Sequence, residues 1–454
     1  EIHERLVGSE MCIRDSVYAT YNKDFGNHHF KVMAGFNQES SYQETLDTYS
    51  YNQAVLDVPA MSSGTGTIKA TDSYSEYAIR GGFFRVNYNY LDKYLLEVNG
   101  RYDGSSKFPK SSRFGFFPSV SAGWQIAQER FMNSTRHWLD GLKLRASYGV
   151  IGNQNINPYT FTPSMSVNNK ATSWIIDDTY VTSISSLPAL VSQNFTWEKV
   201  GTINVGLDVN LFNNRLSGVF EWYQRNTNGM LAPGVQLPAV VGASAPYQNT
   251  ADMRTRGWEL SLNWRDQIGK VGYRIGFNLS DYKSEIIKYD DNAATKLLSS
   301  YYPGQTLGEI WGYVVDGYYT VDDFVDTSSW QLKEGVTSIN GYNVRPGDVK
   351  FKNLRDDDTS TNVITSGDNT FDNPGDRKVI GNTTPRYQYG INLGMNYAGF
   401  DLNVILQGTG KRDYWISNVL TFPMNGDNFV PLFEGLSDYW MPKDPDNGDW
   451  SAVN

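Results

Sequence analysis

The chain has 454 residues, 40% hydrophobic and 14% aromatic, with a net charge of -10 and an isoelectric point near 5.0. No run of about 18 apolar residues occurs, which excludes a transmembrane helix, and the acidic balance argues against nucleic acid, which needs a basic surface. One cysteine, Cys12, rules out an internal disulfide framework, and with His3, His28, His29 and His137 it gives no zinc spacing. A mean hydropathy of -0.47 suggests a soluble protein, but a membrane-spanning strand places only half its residues on lipid and long loops dilute the average.

In chain order, residues 1–16 carry Glu1, Glu4, Glu10 and Asp15 and no apolar core, so they are no secretory signal and read either as a foreign or mistranslated segment or as a disordered tail. Short strands are predicted at 18–23 and 30–37 around Gly26, then a polar loop to about Glu76. From there the pattern has period two. Phe84, Val86, Tyr88 and Tyr90 alternate with polar residues, turn through Leu91, Asp92 and Lys93, and return as Tyr94, Leu96, Val98 and Tyr102. Phe116, Val120, Ala122 and Trp124 follow, then Leu142, Leu144, Ala146, Tyr148 and Val150. After a long loop at 152–194 comes the clearest hairpin. Ile203, Val205, Leu207, Val209 and Leu211 face away from Asn204, Gly206, Asp208 and Asn210, with Asn213 and Asn214 at the turn. A second long loop is predicted at 233–250, then a hairpin about Gly269 with Trp258, Leu260, Leu262 and Trp264 on one face. The longest irregular stretch is predicted at 289–383. The last hairpin turns at Ala398 and Gly399, with Ile391 and Leu393 on one arm and Leu402 and Val404 on the other.

Strands with one oily and one wet face need two solvents. The segments approach the length of a tilted bilayer crossing, aromatic residues mark their ends, and short and long connections alternate, as in outer-membrane barrels. The fold expected is therefore all-β: a partial transmembrane antiparallel β-barrel of about 12 strands, with short periplasmic turns and long extracellular loops. Ile203, Val205, Leu207, Val209, Leu211, Leu260, Leu262, Ile391, Leu393, Leu402 and Val404 are assigned to lipid. Arg101, Arg145, Asp208, Glu221, Glu259 and Arg274 are assigned to the lumen, because so many charges buried in a small barrel would cost several kcal/mol per ion unless paired, and a wide wet lumen removes that cost. The competing architecture is a soluble β-sandwich or propeller.

Candidate ligand contacts are loop aromatics: Tyr159, Trp174, Tyr247, Trp311, Tyr318 and Tyr319, with the stretch from Trp311 to Tyr319 foremost. The acid-rich stretch from Asp348 to Asp376 includes Asp356, Asp357, Asp358, Asp368 and Asp372. It lacks the spacing and the glycine of a calcium loop, so a solvated loop is expected, with no cofactor. Adjacent His28 and His29 point to opposite strand faces and cannot easily share a metal. Asp208 and Glu259 as a glycosidase pair are better explained as lumen charges, and no enzyme is expected.

Tyr94 to Trp124 (YLLEVNGRYDGSSKFPKSSRFGFFPSVSAGW), Leu142 to Tyr159 (LKLRASYGVIGNQNINPY) and Trp197 to Thr227 (WEKVGTINVGLDVNLFNNRLSGVFEWYQRNT) closely resemble SusC/RagA-type TonB-linked outer-membrane proteins, as do RGWELSLNW, WGYVVDGYY, PGDVKF and VIGNTTPRYQYGINLGMNYAGFDLNVILQG further on. The resemblance runs collinearly from about Val17 to Trp440, so residues 1–16 are set apart as a non-family or artefactual N-terminal segment and 17–454 as a receptor barrel domain incomplete at both ends. It implies a barrel of about 22 strands with an internal plug, powered by the TonB complex through that plug, in the outer membrane of a Gram-negative bacterium. It also implies a SusD-like lipoprotein lid and an oligosaccharide or peptide cargo. A partial barrel leaves open strand edges whose unpaired groups cost several kcal/mol each in lipid, so stable insertion of this polypeptide by itself is not expected. The alternatives are a soluble carbohydrate-binding or carbohydrate-processing β protein and a passive porin.

Overall fold

The computed structural model describes residues 2–6, 10–52, 54, 64–165, 167–168, 175–176, 179–180, 184–185, 188–192, 195–235, 237–292, 295–297, 301–355, 362–416, 442–444 and 449–452. Thirteen strands form one sheet. They are β1 (Ile2–Leu6), β2 (Glu10–Phe25), β3 (His28–Ser50), β4 (Ile68–Tyr90), β5 (Tyr94–Ser105), β6 (Phe114–Gln125) and β7 (Leu139–Asn153). Then come β8 (Glu198–Leu211), β9 (Leu216–Pro233), β10 (Tyr247–Ile268), β11 (Val271–Tyr289), β12 (Arg386–Tyr397) and β13 (Phe400–Lys411). Both β1 and β2 pair with β3, and from β3 to β13 each strand pairs with the next in sequence. This is the antiparallel meander expected, and among the described residues no pairing joins its first strand to its last.

The predicted turns lie where the backbone needs left-handed residues: Gly26 (φ 58°), Leu91 and Asp92 (both 57°), Asn213 and Asn214 (58° and 57°), Gly269 (60°) and Gly399 (88°). Strand lengths differ from expectation. The polar loop predicted after residue 37 is instead the outer halves of β3 and β4, which pair in unbroken register from His28↔Tyr90 to Ser50↔Ile68. A tilted crossing uses about 9–11 residues, so each of these 23-residue strands carries about a dozen beyond the membrane. Both faces of that extension meet water, which is why alternation vanished from the sequence while the ladder of backbone hydrogen bonds persisted. Strand β2 likewise runs from Glu10 without a break at Ser16.

The chain divides into two compact units, residues 1–278 with 392–404, and 279–391 with 405–454. The second corrects the irregular stretch expected at 289–383. It contains the strand pairs Glu309–Gly312 with Lys378–Asn382 and Val315–Tyr318 with Val349–Phe351. Its own core is Tyr319, Phe324 and Val344, with Trp330, Leu332, Val336 and Ile339 around them.

At the short-turn end of the first unit, Tyr90 stacks on Tyr94 (6.3 Å) and Tyr94 on Trp124 (6.5 Å). Glu129, in the connection after β6, collects the polar tips of Tyr94 and Trp124. It accepts hydrogen bonds from the Tyr94 hydroxyl (2.7 Å), the Trp124 indole (3.1 Å) and Lys93 (3.1 Å). Those bonds, the tyrosine's foremost, hold its carboxyl below the usual value of 4.5. A carboxylate lowered by folding stabilises fully above its unfolded pKa and stops doing so as pH falls through the folded one. Thermal midpoints should therefore drop below about pH 4.5, and Glu129→Gln should flatten that drop. An identical acid limb in the variant would refute this.

Candidate functional site

The sheet of the first unit is inverted relative to a soluble protein. Its exposed side is the apolar one: Ile203 (41% exposed), Phe220 (44%) and Trp222 (40%), with Val205, Leu96, Val98, Leu144 and Tyr148 also exposed. Among the residues assigned to lipid, Leu262, Leu393 and Leu402 are likewise exposed, and Leu207, Val209, Leu211, Leu260, Ile391 and Val404 are half-buried. Register places Leu144, Leu207, Phe220 and Leu260 in one cross-strand row. An apolar row facing outward is stable only against an apolar medium.

The opposite side carries charge. Arg145 on β7 lies across β8 to reach two carboxylates, Asp208 (3.1 Å) and Glu221 on β9, and Asn204 also donates to Glu221 (3.3 Å). Gly206, directly opposite Arg145, makes that reach possible: a Cβ there would meet the guanidinium carbon at 2.7 Å. Gly206→Ala should therefore swing Arg145 off Glu221, at about 1–3 kcal/mol for the strained or unpaired groups, readable as a lower denaturant midpoint. Arg145→Ala made first should abolish the cost, and an undiminished cost in that background would refute the account. Arg274 uses the same device, lying over Gly394 to donate to Asn403 (2.6 Å). Arg101 pairs with Asp103 (2.9 Å) and donates to Asn37 (2.9 Å). Glu259 stands opposite Glu221 in register and is exposed.

Among the described residues this polar side lines several cavities, one of them about 520 Å³ around Arg274 and Asn403. Another, of about 580 Å³, is walled by Asn22, Asn87, Glu97, Lys143, Arg145 and Asn204, nearer the short turns. A third, about 610 Å³, has Asn37, Asn99, Arg101, Asp103, Ser119 and Thr202 and lies nearer the loops. Beside it the loops are clasped by a cluster that sequence reading missed: Phe108, Phe117, Phe195 and Trp197, all buried. The Trp197 indole donates to the Arg113 carbonyl (2.8 Å) and Ser112 to the Phe195 carbonyl (2.7 Å). The available signal was Phe117, an aromatic residue standing where β6 parity calls for a polar one.

The aromatic ligand candidates are divided between the two units. Tyr159 is exposed at a turn with φ 65°. Tyr247 is exposed but opens strand β10 rather than sitting in a loop. Trp174 lies outside the described residues. In the second unit Tyr318 is exposed, at the end of its strand. Tyr319 is a correction: it is 0% exposed, and its hydroxyl donates to the Thr337 carbonyl (2.5 Å), so it has no surface for a ligand. Trp311 is half-buried with its indole donating to Glu309 (2.7 Å) and packs edge-on against Phe371. Asp356, Asp357 and Asp358 lie outside the described residues. Asp376 is fully buried and accepts from the backbone N–H groups of Leu354 (2.8 Å), Arg355 (3.2 Å) and Thr365 (2.7 Å), so its carboxylate ties loop backbone together.

Comparison with known proteins agrees with this geometry. TonB-dependent receptor P3 of Formosa agariphila is 29% identical over 412 residues, 86% of this chain and 38% of that one. TonB-dependent receptor SusC of Bacteroides thetaiotaomicron is 31% identical over 281 residues, 60% of this chain and 27% of that one. The solved RagAB peptide transporter shares the fold, with a TM-score of 0.68 at 22% identity over 88% of this chain and 40% of that one. The chain thus spans about two-fifths of the length of P3 and of the RagAB chain it matches. The family model "TonB dependent receptor-like, beta-barrel" matches residues 13–441, and the chain belongs to that family.

Proposed function

We propose that this chain forms part of the wall of a Gram-negative outer-membrane importer, one that moves oligosaccharides or peptides inward on energy from the TonB complex and performs no covalent chemistry. The observation that carries the reading is the inverted sheet, oily outside and ion-paired inside. That arrangement supports a wall between lipid and a wet passage rather than a soluble sandwich. TonB would act through a plug elsewhere in the complete receptor, and a SusD-like lipoprotein would cover the outer mouth. Both partners rest on family membership and on the likeness to SusC and RagAB.

The passage side presents amides, hydroxyls and neutralised charges, which suits a cargo rich in hydroxyl or peptide groups and of low net charge. No cofactor is proposed, and saturable calcium binding by the complete receptor would overturn that. Detergent dependence tests the central reading: the purified protein should be monodisperse only in detergent, and monodispersity in plain buffer would sink it. For cargo, oligosaccharide and peptide mixtures should be titrated into the complete receptor. Tyr159→Ala or Tyr318→Ala should weaken binding by roughly three- to tenfold, the worth of one ring contact. Unchanged affinity in both would remove these residues from the cargo path.

A further inference from the structure

The outward side of the sheet changes character at one height. In β9 and β10 the apolar rungs end at the cross-strand pair Trp222↔Trp258, and the next two outward rungs are Gln224↔Arg256 and Asn226↔Arg254. On the far side of β9, the outward row of β8 ends in Lys199, opposite Asn228. Lys199 and Arg256 are exposed and Arg254 is half-buried. Arg256 donates to the neutral Gln224 (2.7 Å), and the Arg254 Nε has no hydrogen-bond partner among the described residues. No carboxylate lies within ion-pair distance of any of the three among the described residues, whereas Arg101 and Arg145 on the inward side are both ion-paired.

The height has a physical meaning. Lys199 and Arg256 each stand twelve residues from the short-turn ends of their strands, Leu211 and Ile268, and the exposed Arg80 on β4 stands ten from Tyr90. At about 3.3 Å per residue and a tilt near 45°, that is a rise of about 23–28 Å, against an apolar band about 25 Å tall. Unpaired cations thus emerge just past the hydrocarbon edge, above a tryptophan pair that favours the interface. Strands β8 and β10 flank β9, and register sets Lys199 beyond Arg254 and Arg256 along the sheet; the two arginines start about 7 Å apart, and Lys199 starts about 12 Å from Arg254 and about 16 Å from Arg256, gaps that these long side chains can close around one phosphate. Guanidinium groups match phosphate geometry bidentately.

We propose that Lys199, Arg254 and Arg256 form a seat for the phosphate headgroup of a lipid in the outer leaflet, holding the receptor wall at a fixed depth. This rests on the membrane-wall reading above. The complete receptor in neutral detergent should be mixed with phosphatidic acid or with phosphatidylcholine, separated by gel filtration, and its retained lipid measured. Phosphatidic acid should be retained in preference, and K199Q/R254Q/R256Q should lower that preference by roughly one to two orders of magnitude, at about 1 kcal/mol per cation. Arg225→Gln, which removes a cation of the opposite face at the same height, should leave it unchanged. Equal retention of the two lipids by a protein that still requires detergent would overturn the seat alone. A preference lost equally in the Arg225 variant, or abolished by millimolar inorganic phosphate, would also overturn it. Solubility without detergent would overturn the membrane reading with it.

Discussion

Leu207→Arg, carried in the complete receptor in phosphatidylcholine bilayers, should lower unfolding stability by about 2–4 kcal/mol, the cost of a cation near the bilayer midplane. Leu207 sits midway along β8, in the outward row with Leu144 and Phe220. A guanidinium there cannot reach the inward carboxylates, because the strand pleat sends it to the other face. It must either strip its hydration or drag water into the hydrocarbon. Glu259→Arg is the matched control. It lies on the inward face beside Glu221, where a cation finds a carboxylate and water, and it should cost under about 1 kcal/mol. Equal costs would mean that both faces meet the same solvent, and the wall reading would fail. The guanidinium unfolding midpoint in bilayers decides the matter.

Asp376→Ala should loosen the loop assembly of the second unit by about 3–5 kcal/mol. One buried carboxylate satisfies three backbone donors from two chain segments, and removing it strands all three at about 1–3 kcal/mol each, less whatever water recovers. Asp376→Asn keeps an acceptor oxygen and should recover part of the loss. Amide hydrogen exchange at Leu354, Arg355 and Thr365 is the direct readout. Protection should fall by orders of magnitude in the alanine variant, while amides of β8 and β9, in the other unit, keep theirs. Unchanged protection at the three positions would refute the tie.

The membrane-crossing parts of the strands were legible because each contrasts two solvents residue by residue. The row Ile203 to Leu211 and its turn at Asn213 and Asn214 stand where periodicity and turn chemistry put them. The outer halves of β3 and β4 were not legible, since a ribbon with water on both sides needs no alternation. Tyr319 was misread for a related reason. In the run from Trp311 to Tyr319 the neighbours Tyr318 and Tyr319 are chemically alike, yet one is exposed and the other is the centre of a core. The difference comes from Phe324, Trp330 and Val344, which reach Tyr319 only once the loop has folded.

The sequence by itself determined the two-faced sheet, its meander of short turns and its family, because strand alternation and turn residues are local properties that each stretch of chain carries alone. Only the tertiary structure decided which charges neutralise one another, which glycines make room for them, and which loop aromatics are core. Arg145, Gly206 and Glu221 lie on three different strands, and their meeting depends on register, a non-local quantity fixed by packing and by the hydrogen-bond ladders between strands.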